Sequence, residues 1–300
     1  MIVTVYSHPL THYPLTGEIY RKISADIYHS EGLNWGTDIA YNATKKSCHL
    51  LTFQNPRTDK EWEKVYKFYP VRRKLFNKLF SGRLAETVHR MDSVYCQAKY
   101  LIPKVHKLYS LDTEPGFLPN PVSIPNRQIV KSDEPTVCFL GRFDGEKQPQ
   151  LFFDLARYFP EVQFIAVGAA HNPEVDRQLR RRYRDISNLE FAGFKAGFDK
   201  DMILEKSWVL VNTSVSEGLP VSFLEVAAHQ CTILSPHDPD GFASNFGYHV
   251  HDDFEKGLRV LLENDYWRIQ GSRAYDYVSE VHELKKVGDM HIDAYKRLLS

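Results

Sequence analysis

The 300-residue chain is 43% apolar and 25% charged, and its 38 Lys and Arg balance 38 Asp and Glu. This describes a soluble globular chain with room for two domains, able to bury roughly 75% of its unfolded surface without disulfide or metal staples. Zero net charge argues against a bulk nucleic-acid binder, and the longest nearly unbroken apolar run, residues 164–170, is far short of a membrane-spanning helix.

In chain order, short apolar runs alternate with helical patterns, the mark of an α/β fold with parallel strands. Met1-Ile-Val-Thr-Val-Tyr6 has neither the basic nor the long apolar region of a secretory signal and reads as a strand. Strands are expected at 25–29, 48–53 and 93–96, and helices at 84–90 and 99–108. Three prolines fall within residues 118–125, followed by polar residues, so a domain boundary is expected near residue 128. Beyond it, strands at 136–140, 162–167, 188–192, 208–212 and 231–235 alternate with helices near 150–157, 174–185, 200–206 and 221–229. A helical pattern then runs from residue 254 to the end, with breaks near 264–265 and at Gly288. This second half reads as a complete doubly wound domain. Cys48, Cys96, Cys138 and Cys231 lie far apart and read as reduced, mostly buried thiols, which fits the cytoplasm.

Two segments carry chemistry. Gly141-Arg-Phe-Asp-Gly-Glu-Lys147 joins a strand to a helix, where backbone N–H groups and the positive helix end favour an anion. Arg142 and Lys147 suit that loop to a diphosphate, and no Ser or Thr follows the lysine as in a Walker loop. Asn212-Thr-Ser-Val-Ser-Glu217-Gly-Leu-Pro-Val-Ser-Phe-Leu-Glu225 places two carboxylates at a second strand-to-helix turn. Carboxylates there can accept hydrogen bonds from sugar or ribose hydroxyls.

Taken in order, these elements resemble the donor-binding domain of the GT-B retaining glycosyltransferases, specifically glycosyltransferase family 4. The resemblance covers residues 116–300, with weaker echoes at 25–29 and 50–54. It implies two Rossmann-like domains: a trimmed acceptor-side domain at 1–128, a nucleotide-sugar domain at 129–285, and a last helix, 286–300, returning to the first. The family's opening strand with its Gly-Gly loop is not visible. By the resemblance, Arg142 and Lys147 hold the donor diphosphate, Glu217 contacts the transferred sugar, and Glu225 accepts from the ribose. Gly218 and Leu219 present backbone N–H groups to phosphate and sugar, Gly141 belongs to the same donor-binding set, and the Phe194-Lys195 turn lies beside the base. His29 and Gln54 are the acceptor-side candidates, with Gln54 standing where the family often has a histidine. The donor is a UDP-, GDP- or ADP-sugar, the acceptor a glycan or lipid-linked molecule. No metal or cofactor is required if the cations serve the leaving group.

Against this stand a non-catalytic nucleotide-sugar-binding subunit, favoured by Gln54 and the missing strand, and a phosphorylase sharing the fold. The loop Pro236-His-Asp-Pro-Asp-Gly241 departs from the family's Gly-rich pattern, and its Asp-x-Asp reads as a turn. His282-Glu283 with His291 reads as surface helix. Residues 60–107 hold twelve Lys and Arg against four Asp and Glu. Bases and aromatics interleave there, so peripheral contact with an anionic membrane is weighed against simple inward packing of the aromatics.

Overall fold

The computed structural model describes residues 13–300, so the strand expected within residues 1–6 lies outside the described residues. The chain divides into two units. One holds the described residues up to Pro119 together with Val287–Ser300, and the other holds Asn120–Lys286.

In the first unit the order is α1 (Tyr13–Ile23), β1 (Ile27–Glu31), α2 (Trp35–Ala43), β2 (Cys48–Phe53), α3 (Asp59–Tyr66), α4 (Val71–Val88), β3 (Ser93–Cys96), α5 (Leu101–Tyr109) and β4 (Gly116–Phe117). The described strands form one parallel sheet in the order β1-β2-β3-β4. The interior strand β2 buries Leu50 and Leu51 completely, which is why it reads as a nearly continuous apolar run. Helix starts follow local chemistry: Asn34 accepts from the N–H groups of Gly36 and Thr37 to cap α2, and Thr58 and Glu61 form a capping box on α3. Pro70 separates α3 from α4. The expected helix at 84–90 is the end of this longer α4.

The second unit runs β5 (Thr136–Leu140), α6 (Pro149–Leu155), β6 (Gln163–Val167), α7 (Pro173–Arg182), β7 (Leu189–Gly193), α8 (Gly197–Lys206), β8 (Val209–Val211), α9 (Val221–Ala228), β9 (Thr232–Ser235), α10 (Phe242–Phe246), β10 (Gly247–His249), α11 (Phe254–Leu262) and α12 (Tyr266–Val281). Its described strands are parallel in the order β10-β9-β8-β5-β6-β7. Phe139, Phe152, Phe153 and Phe164 are almost fully buried around β5 and β6. Each such ring contributes about 1.5–3 kcal/mol of burial. Connections leave β5 toward one side of the sheet and β8 toward the other, so the order reverses between them. Open α/β sheets bind ligands at such a switch point.

Residues 120–128 lie within the second unit, so the division falls at Pro119/Asn120. The cause is a short pairing: Val122 N donates to His282 O at 2.7 Å and Leu284 N to Val122 O at 3.0 Å. That pairing ends α12, and the last helix, α13 (Leu284–Leu299), continues through Gly288 without a break. His282 is fully buried, with Nδ1 at 2.9 Å from Asn120 O, and is therefore no surface residue. Within the first unit, Ala294 of α13 packs on Leu50 and Leu118. The four cysteines are free thiols, and Cys96, Cys138 and Cys231 are buried. Among the described residues no helix is long and apolar enough to cross a membrane.

Candidate active site

The loop after β5 is shaped by a close backbone approach. Gly141 N donates to Val167 O, Phe143 N donates to Ala169 O, and Gly168 N donates to Gly193 O. Gly168 has φ +143°, and a Cβ there would lie 1.8 Å from the Gly141 carbonyl oxygen, so only glycine fits. Asp144 then organises the turn, accepting from Lys147 N at 3.0 Å and holding Arg142 Nη2 at 3.2 Å. Arg142 Nη1 also lies 3.3 Å from His171 Nε2.

This loop is tied to the loop after β8. Val215 N donates to Glu146 O at 2.8 Å, and Thr213 Oγ1 donates to the carbonyls of Lys147 and Gln148 at 2.7 and 3.0 Å. The side chains join as well. Lys147 Nζ lies 2.5 Å from Glu217 Oε1, and Asn212 Nδ2 donates to the same oxygen at 3.3 Å. The Glu217 side chain is only 9% exposed. Burial alone would raise its pKa, but the charge and hydrogen bond of Lys147, joined by Ser214 and Asn212, hold it below the ordinary carboxylate value. An ionised, nearly buried carboxylate therefore meets the Lys147 side chain at the switch point.

Gly218 and Leu219 are buried in the turn that follows, leading through Pro220 into α9. Glu225, in the second turn of α9, is held by Lys200 of α8, Nζ to Oε1 2.5 Å. A cavity of about 580 Å³ opens beside this pair, lined also by His229, Val221 and residues 121–127. Phe194 and Lys195 form the turn between β7 and α8, with Phe194 81% exposed.

His29 and Gln54 belong to the first unit and meet at one carboxylate. His29 Nε2 lies 3.4 Å from Glu31 Oε1, and Gln54 Nε2 donates to Glu31 Oε2. His29 is held further by Thr52 Oγ1 and Tyr295 Oη, each at 2.8 Å. Burial, and then the neighbouring His291, lower its pKa to about 4. Burial raises the pKa of Glu31 against the hydrogen bond from Gln54.

Four residues escaped the sequence reading: Glu31, Asp144, Lys200 and His237. His237 sits with Nε2 2.7 Å from Ser214 O. Burial lowers its pKa despite the opposing pull of Ser214 O and Glu217. The departure of its loop from the family pattern is the sequence signal for it. Asp238 instead accepts from Ser244 N and Oγ, closing a local turn.

Residues 123–250 match the family model described as glycosyl transferases group 1. The matched residues all lie within the second unit. No curated protein matches the sequence significantly. Among solved structures, sucrose-phosphate synthase from Thermosynechococcus elongatus is similar with TM-score 0.78 and 13% identity, over 98% of this chain and 81% of that one. HepE from Anabaena, solved with UDP-glucose, gives TM-score 0.73 and 12% identity, over 95% of this chain and 82% of that one. TarM from S. aureus, solved with UDP, Fondaparinux and alpha-GlcNAc-glycerol, gives TM-score 0.69 and 15% identity over 94% of this chain. The chain spans 58% of the TarM chain's length. These likenesses establish the fold as GT-B, two Rossmann-like units, and Arg142, Lys147, Glu217 and Glu225 all fall among the residues that the family model matches.

Proposed function

We propose that this chain is a retaining, family 4 glycosyltransferase that moves a sugar from a nucleotide-sugar to a hydroxyl acceptor, a glycan or a lipid-linked molecule. The observation that carries the reading is the Lys147–Glu217 pair at the switch point, with Arg142 on the same loop. Glycosyl transfer builds an oxocarbenium-like sugar while negative charge grows on the departing phosphate. Fixed cations aimed at that phosphate stabilise the transition state more than the ground state.

Arg142 and Lys147 take the diphosphate and Glu217 takes the sugar hydroxyls. Gly218 and Leu219 supply backbone N–H groups around them, and Gly141, whose own N–H is bonded to Val167 O, shapes the loop beside the diphosphate. Glu225 takes the ribose, which must share or displace Lys200, and the Phe194-Lys195 turn borders the base. The acceptor oxygen attacks the anomeric carbon on the face from which the phosphate leaves. As the new C–O bond forms and the old one breaks, a leaving-phosphate oxygen takes the acceptor's proton, giving a glycoside and a nucleoside diphosphate. Two fixed cations already serve the leaving group, so the reading assigns no role to a metal.

The UDP and UDP-glucose bound by structural relatives favour a uridine donor over GDP- or ADP-sugars. Acceptor contacts are assigned to His29 and Gln54 of the first unit. The free cysteines fit work in the cytoplasm, with the basic stretch 60–107 in peripheral contact with an anionic membrane. The test is nucleoside-diphosphate release from UDP-, GDP- and ADP-sugars in the presence of glycan and lipid-linked acceptors, with the anomeric configuration of the product read by NMR. Release with a retained anomer supports the reading. An inverted product, or release unaffected by Arg142→Ala, contradicts it.

A further inference from the structure

Among the described residues, helix α4 presents a face that the fold does not use. Val71, Leu75 and Leu79 are 78%, 57% and 68% exposed. Their four-residue spacing sets them along one side of the helix. At about 100° per residue, Arg72 falls on one flank of this stripe and Lys74 and Lys78 on the other. No acid occurs between Val71 and Ala85. The opposite end of α4 is anchored: Val88 is buried, Arg83 Nη2 pairs with Asp38 Oδ2 at 2.8 Å, and Thr87 Oγ1 donates to Asp38 Oδ1 at 3.1 Å.

The neighbouring α3 behaves differently. Its Val65 is buried, Trp62 stacks on Tyr66 at 5.2 Å, and Glu61 pairs with Lys104 at 2.8 Å. Within the basic stretch, then, α3 packs inward while the first turns of α4 stay open.

We propose that the first three turns of α4 seat the first unit on an anionic lipid bilayer. Val71, Leu75 and Leu79 enter the acyl boundary, and Arg72, Lys74 and Lys78 meet lipid phosphates at its edges. An interfacial helix requires this combination of an apolar stripe and flanking cations. The same charge disfavours a second copy of the chain as the occupant, because two such faces would bring like charges together. The proposal narrows the membrane contact proposed above to one helix face, and it does not depend on the donor site.

The test is co-sedimentation of the full chain with vesicles of phosphatidylcholine alone or mixed with phosphatidylglycerol, without nucleotide. The wild type is expected to bind the anionic vesicles only, and less at high salt. Leu75→Ser with Leu79→Ser lowers the partition coefficient by about tenfold or more, and Lys74→Ala with Lys78→Ala lowers it ~25-fold. Both variants keep the wild-type circular dichroism and nucleotide affinity, which separates this result from any failure of the donor site. Absence of binding, equal binding to neutral vesicles, or equal binding by both variants overturns the proposal. A wild-type dimer that Leu75→Ser with Leu79→Ser dissociates overturns it in favour of a second copy.

Discussion

Lys147 and Glu217, seventy positions apart in sequence, form an ion pair of 2.5 Å that joins the loop after β5 to the loop after β8. Glu217 is nearly buried, so removing its partner leaves a charge with poor solvation. Lys147→Ala is expected to lower kcat by ~10²–10³, the scale for losing one donor aimed at developing charge. It should also destabilise the fold by about 3 kcal/mol. Adding Glu217→Gln recovers most of the stability and none of the activity. Steady-state kinetics and urea unfolding of the two variants check both halves.

The carboxylate of Glu217 also sets a pH dependence. Its folded pKa is lowered, so its contribution to stability is present above the unfolded glutamate value. That contribution is lost as pH falls through the folded pKa, on the acid side of the usual carboxylate range. Unfolding midpoints measured from pH 6 downward should fall less steeply in Glu217→Gln than in the wild type.

His29 acts in a different window. Its folded pKa is about 4, while an unfolded histidine titrates near ~6.5. Between those values the unfolded chain binds a proton that the folded chain refuses. Its contribution is therefore full above the unfolded value and lost as pH falls toward the folded one. From pH 7 to pH 5 the loss is about 2 kcal/mol. Urea unfolding at the two pH values should show a smaller difference in His29→Gln.

Glu225 sits on α9 with Lys200 against it, away from the reacting carbon in the proposed arrangement. Glu225→Ala should raise the donor KM about tenfold with kcat nearly unchanged, the pattern of lost uniform binding. A fall in kcat at unchanged KM would place this carboxylate nearer the chemistry.

Gly168 tests the backbone. A methyl group there meets the Gly141 carbonyl, and φ +143° is strained for any other residue. Gly168→Ala should cost about 3 kcal/mol or more in urea unfolding. Donor affinity should fall with it, because the Arg142–Lys147 loop must shift.

Much of this fold was legible because its interior strands are short apolar runs bounded by glycine or polar residues. Those at 48–53, 93–96 and 136–140 have the same limits in the structure. The two-residue β4 and three-residue β10 are too short to leave a pattern, and the break at His282 arises from pairing with Val122, distant in sequence. At the site, residue types and spacing marked Arg142, Lys147, Glu217 and Glu225 individually. That Lys147 reaches Glu217 and Lys200 reaches Glu225 is a product of tertiary packing, and no local periodicity encodes it. Nor could composition tell α3, whose Val65 is buried, from α4, whose Leu75 and Leu79 face out.

The most direct measurement is a thermal-shift titration of the wild type and of Glu225→Ala against UDP, GDP, ADP and their sugar derivatives. A ligand at a hundred times its Kd stabilises by about 2.7 kcal/mol, a readily observed shift. The proposed function predicts a shift with one nucleotide family, UDP in first place, that is markedly weaker in Glu225→Ala. No shift with any nucleotide, or one of equal size in the variant, would contradict a donor site built on these residues.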